Sequence, residues 1–130
     1  MDNDVNVVNR IASCSYQKGE FYSETDVRID GVFIGNIYCT SKIVVGECAR
    51  IEGQIVANAV DIYGKVRGNI FANELMSLRS TADVEGAMSF KKIQIEIGAE
   101  FVGPCSKIAE GEMNIKIKEI FLFSFRMVLR

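Results

Sequence analysis

The chain has 130 residues, of which 48% are apolar, and a formal net charge of −2 at pH 7; this is enough for one domain with one continuous core. A single proline and eleven glycines argue against a disordered or collagen-like chain. No cluster of Lys and Arg precedes residue 113, so the composition excludes nucleic acid as a partner. Four scattered cysteines and no histidine predict no metal, no cofactor and reduced thiols in the cytoplasm.

The first predicted segment, residues 1–14, is a flexible N-terminal tail. Its beginning, MDNDVNVVNRIAS, is acidic and lacks the basic region and the long apolar run of a signal peptide. Its apolar residues, Val5, Val7, Val8 and Ile11, stand among polar ones. A membrane anchor is therefore the less favoured interpretation of this segment.

The second predicted segment, residues 15–107, carries an internal repeat centred on glycine. The repeated glycines are Gly19, Gly35, Gly53, Gly68, Gly86 and Gly103, at spacings of 16, 18, 15, 18 and 17 residues. An apolar residue stands two positions after each glycine, and in five of six cases two positions before it, while a small residue stands four positions before. Alternation with period two predicts strands, because successive side chains of a strand point to opposite faces.

The length of the repeat decides between all-β architectures. Hairpins need recurring two-residue turns, and a propeller blade needs about 40 residues. A coil of three short strands per turn fits 15–18 residues, and glycine suits its corners because it tolerates positive φ and close backbone approach. The sequence therefore predicts an all-β, single-stranded β-helix, a solenoid of about six turns with three short parallel sheets.

The amino-acid sequence of the repeat resembles that of one known family, the bactofilins. The resemblance lies in VRIDGVFIGNI (27–37), IVVGECARIEGQI (43–55), VDIYGKVRGNI (60–70) and ADVEGAMSFKKIQIEIGAEFVGPC (82–105). It implies a right-handed coil that assembles end to end, without nucleotide, into nonpolar cytoskeletal filaments. It also implies a location at the cytoplasmic face of the inner membrane and recruitment of cell-wall or cell-shape proteins.

The two ends of the coil are the predicted polymerisation surface. A β-helix ends in strand edges that template another chain, unless a polar segment or a helix caps them. The residues predicted there are apolar or aromatic: Phe90, Ile93, Ile95 and Phe101 at the last turn, and Tyr16, Phe21 and Tyr22 at the first. Flanking segments that cover both ends are the alternative. The sequence leaves open which end meets which.

The third predicted segment, residues 108–130, is an apolar and basic C-terminal tail. Its charges interrupt the run of about 20 apolar residues that a bilayer span requires. Three interpretations remain: contact with an anionic membrane surface, folding back over the hydrophobic end of the coil, or docking of a partner protein. The predicted membrane or partner contacts are Lys116, Lys118, Ile120, Phe121, Leu122, Phe123, Phe125 and Arg126.

No enzymatic function, and no small-molecule substrate, is predicted. The left-handed β-helix of acyltransferases requires a hexapeptide period and typically a histidine base, and neither is present. Pectate-lyase-like coils cluster Asp, Lys and Arg on one strand, whereas Asp30, Asp61 and Asp83 fall at different phases of the repeat. Two functions therefore compete: a filament-forming scaffold, and a non-polymerising adaptor that binds a partner protein or a membrane through its C-terminal tail.

Overall fold

The structure is a computed structural model, and it describes residues 9–107. This part of the chain folds into eleven strands joined by corners, and it contains no helix. The strands are β1 (Asn9–Ile11), β2 (Tyr16–Ser23), β3 (Val27–Ile29), β4 (Val32–Cys39), β5 (Lys42–Val45), β6 (Arg50–Ile62), β7 (Lys65–Leu78), β8 (Asp83–Glu85), β9 (Met88–Ile95), β10 (Glu100–Val102) and β11 (Cys105–Lys107).

The strands stack in parallel into three faces, each with six rungs. Face 1 consists of β1, β3, β5 and residues 59–62, 75–78 and 92–95. Face 2 consists of residues 16–18, 32–34, 50–52 and 65–67 with β8 and β10. Face 3 consists of residues 20–23, 36–39, 54–57, 69–72 and 88–90 with β11. The predicted all-β solenoid of about six turns is thereby confirmed.

The corner between faces 2 and 3 is the column of repeated glycines. Gly53 has a φ of +138°, and a Cβ at this position would run into the carbonyl oxygen of Gly35 one turn before. The positive φ and the close backbone approach together require glycine here. β2, β4, β6 and β7 pass through this corner unbroken, which joins faces 2 and 3. Because β6 and β7 also continue into face 1, the three faces form one sheet of eleven strands.

Within the described residues, the coil already includes the strand Asn9–Ile11, ahead of the boundary at Ser15 that the repeat predicts. β1 pairs with β3 and sets Ile11 opposite Ile29. Ile11 is buried, and its carbonyl oxygen accepts a hydrogen bond from the N–H of Asp30 at 2.7 Å. Residues 9–11 therefore form part of the first turn and not of a flexible tail.

The core is a narrow column of aliphatic side chains that runs along the inside of the coil. On face 2, for example, Ile51, Val66 and Val84 follow one another in register and are 0% exposed. Burying each such side chain stabilises the fold by roughly 1.5–3 kcal/mol before chain entropy is subtracted. One continuous column of this kind keeps all turns in register, since a slip of one residue would turn the aliphatic side chains outward.

The remaining two corners are polar and differ in length from turn to turn. Between faces 1 and 2, some corners have four residues, such as 46–49, and others have two, such as 63–64. Between faces 3 and 1, side chains hydrogen-bond from turn to turn: Asn73 Nδ2 donates to Asn58 Oδ1 at 2.8 Å. The varying spacing of the glycines therefore arises at these two corners, while the faces stay in register.

Candidate assembly surfaces at the ends of the coil

The last turn leaves the core column open at what we call the C-terminal pole, formed by residues 92–107. Phe101 follows Val84 in register, and Ile95 follows Leu78. Val84 and Leu78 are 0% exposed, whereas Phe101 is 38% and Ile95 is 46% exposed. The difference arises because no further rung of the described chain covers the last turn. Exposed apolar side chains of this kind form a surface that another molecule can cover.

The other two residues predicted at this pole are less accessible. Ile93 lies in register with Met76 and is half-buried against the core. Phe90 belongs to the turn before the last, because Lys107 of β11 pairs with it. The structure thus places Ile93, Ile95 and Phe101 together in the last turn and Phe90 one turn inside.

Two apolar residues that the sequence analysis did not select are the most exposed at this pole. Ile97 is 98% exposed and Val102 is 72% exposed. Ile97 lies in the corner 96–99, and Val102 alternates with the inward-pointing Phe101. Neither residue stands at an inward apolar position of the repeat, so the repeat pattern does not identify them. The signal that identifies them is an apolar residue at a corner or outward position of the last repeat.

The first turn, which we call the N-terminal pole (residues 9–23), has a more polar core column. Phe21 lies in register with Ile37, points inward and is half-buried against the core. Gln17 takes the inward position on face 2, and Ser23 takes an inward position on face 3. Phe21 and Ile11 are therefore the apolar side chains that this pole contributes to the column.

The two tyrosines predicted at the N-terminal pole lie on the sides of the coil. Tyr16 is 64% exposed and points outward, in register with Val32. Tyr22 also points outward, and its ring stacks on that of Tyr38 with centroids 4.9 Å apart and planes 17° apart. The predicted set at this pole is thus divided between the core column and the outer surface.

Both poles also present backbone groups at strand edges. Within residues 9–107, β1 and β2 pair on one side only, with β3 and β4. At the opposite end of the described chain, β10 and β11 pair only with β8 and β9. An edge strand carries a row of N–H and C=O groups that can pair with a strand of another chain. Each pole therefore combines hydrogen-bonding capacity with apolar side chains.

The sides of the coil, by contrast, carry paired charges. Asp61 accepts from Lys42 Nζ at 3.1 Å and pairs with Arg79 at 3.5 Å, and Arg79 pairs with Glu96 at 3.2 Å. Exposed ion pairs contribute little to stability individually, but they keep these sides solvated. Among the described residues, most of the exposed large apolar side chains lie at the C-terminal pole, namely Ile95, Ile97, Phe101 and Val102, while Tyr16 and Leu75 lie on the sides of the coil.

The described residues offer few groups for metal binding or for nucleophilic chemistry. Residues 9–107 hold no group of three side chains able to bind a metal ion. Burial raises the pKa of the Cys39 thiol to about 11, so the thiol is protonated and weakly nucleophilic at neutral pH. No helix in this range is long and apolar enough to cross a membrane. The predicted membrane or partner contacts from Lys116 to Arg126 lie outside the described residues.

A solenoid of parallel strands that exposes strand edges and apolar side chains at its ends has the structure of a self-associating scaffold. Residues 9–106 match the family model described as bactofilin, polymer-forming cytoskeletal. The chain belongs to the bactofilin family.

A curated relative supports the same assignment. Bactofilin BacO of Myxococcus xanthus (strain DK1622) is 32% identical to this chain over 85 residues, which covers 65% of this chain and 68% of the relative. No solved structure matches the chain. The resemblance of the repeat to the bactofilins is thereby confirmed. The family to which the chain belongs is a polymer-forming cytoskeletal one.

Proposed function

We propose that the chain assembles end to end, through its two poles, into cytoskeletal filaments that need no nucleotide. The observation that carries this proposal is the open core column of the last turn, where Phe101 is 38% exposed next to the fully buried Val84. Covering this end with a second coil removes apolar surface from water, at about 25 cal/mol per Å². The unpaired strand edges supply hydrogen bonds at the same contact.

Electron microscopy and light scattering test this proposal directly. Purified full-length protein, without added nucleotide, is expected to form filaments a few nanometres wide, and the scattering mass is expected to rise steeply with concentration. A sharp species of low mass at about tens of micromolar would contradict end-to-end assembly. That outcome would favour the competing function, a non-polymerising β-helical adaptor.

The proposal extends to the cellular surroundings of the filament. We expect contact with the cytoplasmic face of the inner membrane and recruitment of a cell-wall or cell-shape protein. Support comes from the family and from the basic residues Lys116, Lys118 and Arg126, which suit an anionic membrane surface. Flotation with anionic liposomes tests the contact, because filaments alone sediment: the full chain should float with the vesicles, and a chain without residues 113–130 should not.

A further inference from the structure

A row of apolar side chains runs along the outer side of face 3. Ile55 and Ala57 belong to the core, so Val56 between them points outward. Its neighbours in register are Tyr38 one turn before and Phe71 one turn after. The row thus places a valine between two aromatic side chains on the outside of the coil.

The same row begins in the first turn. Tyr22 stacks on Tyr38 at 4.9 Å between ring centroids. We name Tyr22, Tyr38, Val56 and Phe71 the aromatic stripe. Beside it runs a second outward column, which is polar and consists of Glu20, Asn36, Gln54 and Asn69.

The centre of the aromatic stripe is shielded from solvent. Val56 is 1% exposed, although it points outward and lies outside the core cluster. Other outward-pointing aliphatic residues, such as Ile34 on face 2 and Val44 on face 1, remain partly exposed. The rings of Tyr22, Tyr38 and Phe71 on either side of Val56 are partly exposed, so they offer apolar surface on the side of the coil that a further apolar segment can cover.

The chain leaves the coil on this same face. β11 ends on face 3 at Lys107, and 23 residues follow it. The distance from this rung to the rung of Tyr22 is five spacings of about 4.8 Å, or about 24 Å. The twelve residues 108–119 can span up to about 40 Å when extended. Residues beyond 119 can therefore reach every rung of the stripe.

We propose that the segment 120–125 of this chain, IFLFSF, docks along the aromatic stripe on the side of its own coil. Phe121, Phe123 and Phe125 stand at alternate positions, so an extended segment presents all three rings on one side. The N-terminal residues 1–8 fit less well. They carry Asp2 and Asp4, which Glu20 would repel, and the chain from them enters the coil on face 1.

Docking at this place differs in consequence from a cap over the end of the coil. The stripe runs along face 3, so a segment bound there leaves the edges of β1, β10 and β11 open. The proposal therefore does not depend on filament assembly, and a protein that fails to polymerise would still show it.

Trypsin cleavage after Lys118 and Arg126, the sites that flank the docked segment in the full chain, followed by mass spectrometry, tests the docking. Cleavage should be slower than in the isolated peptide 108–130, and the protection should not depend on protein concentration. Phe71→Lys should speed cleavage about tenfold, since the opening of a docked segment controls its proteolysis. Asn69→Lys is the matched control: it adds the same charge two residues away on the same face, and it should leave the rate unchanged.

If circular dichroism shows that Phe71→Lys disturbs the coil, a variant on the other side of the contact, in the tail, still tests the proposal. Phe123→Asp, which adds no trypsin site, should release the tail equally, and the double variant should release it no further, because both changes break one contact. Cleavage of the native chain at the rate of the free peptide, or protection that survives Phe71→Lys, would overturn the proposal. So would protection that grows with concentration, which identifies a second copy, or that requires anionic vesicles, which identifies a membrane.

Discussion

Phe101 lies in register with Val84, one rung nearer the C-terminal pole, in the same inward column of face 2. The two side chains occupy equivalent positions, yet Val84 is 0% exposed and Phe101 is 38% exposed. Position in the stack accounts for the difference, because among residues 9–107 Val84 has a rung on both sides and Phe101 has a rung on one side. A second coil stacked on this pole would give Phe101 the environment that Val84 already has.

Phe101→Arg should therefore abolish assembly while the coil remains folded. The substitution removes an apolar contact and places a charge where the partner coil would bury it. We expect the concentration needed for polymers to rise by about 100-fold or more, as measured by light scattering, with circular dichroism of the β type unchanged.

The control for this substitution is Asn69→Arg, which adds the same charge to an exposed position on the side of the coil. This variant should polymerise like the native chain. If Phe101→Arg polymerises equally well, Phe101 is not part of the contact.

The reactivity of Cys105 should report directly on the C-terminal pole. Cys105 is exposed and lies in register with the buried Met88, at an inward position of the last turn. Assembly through this pole should slow its alkylation by about tenfold or more. Cys48, exposed in the corner 46–49, should react at the same rate in monomer and polymer. Equal protection of both thiols would show that the poles are not the assembly surface.

Two glycine substitutions should separate backbone strain from close packing. Gly19 has a φ of +128° with open space where a Cβ would lie, whereas a Cβ on Gly53 would meet the carbonyl oxygen of Gly35. Gly19→Ala should cost about 1–3 kcal/mol of strain. Gly53→Ala should cost about 2 kcal/mol more, since the backbone must also shift.

Denaturant unfolding measures this difference best in the Phe101→Arg background, where assembly does not add to stability. The same cost for both variants would show that the column tolerates a methyl group between turns.

The buried thiol of Cys39 should make stability depend on alkaline pH. Burial raises its pKa from 9.0 to about 11, so the fold favours the protonated form. The resulting stabilisation is complete below about pH 9 and is lost as the pH rises through about 11. The free energy of unfolding of the native chain, compared with that of Cys39→Ala, should therefore hold a constant difference up to pH 9 and fall relative to the variant above it. A difference that stays constant to pH 11 would contradict this assignment.

The repeat predicted the coil because its signals are local and recur in every turn. Each glycine of the pattern lies at a corner with positive φ, and the flanking apolar residues form the inward column. The strand β1 was not predicted because it precedes the first glycine of the repeat, so nothing in the glycine spacing identifies it. β1 belongs to the coil because it pairs with β3, and this pairing exists only in the folded coil.

The poles were predicted less completely than the coil. The sequence does not show which strand covers a given residue in the stack. Phe90 lies one turn inside the C-terminal pole because Lys107, in the further short strand β11, pairs with it. The outward direction of Tyr22 follows from alternation with the inward-pointing Phe21. The exposure of Ile97 arises at an irregular corner, where no periodic pattern applies.

The difference in length among the corners between faces 1 and 2 has a consequence for which sequence changes the coil can accept. The corner 79–82 has four residues where the corner 63–64 has two, and the rungs on either side of both remain in step. Insertions are therefore tolerated at this edge, while the glycine edge admits none. An epitope or a fluorescent tag inserted at the exposed Ser80 would stand on one side of the rod and leave both ends accessible.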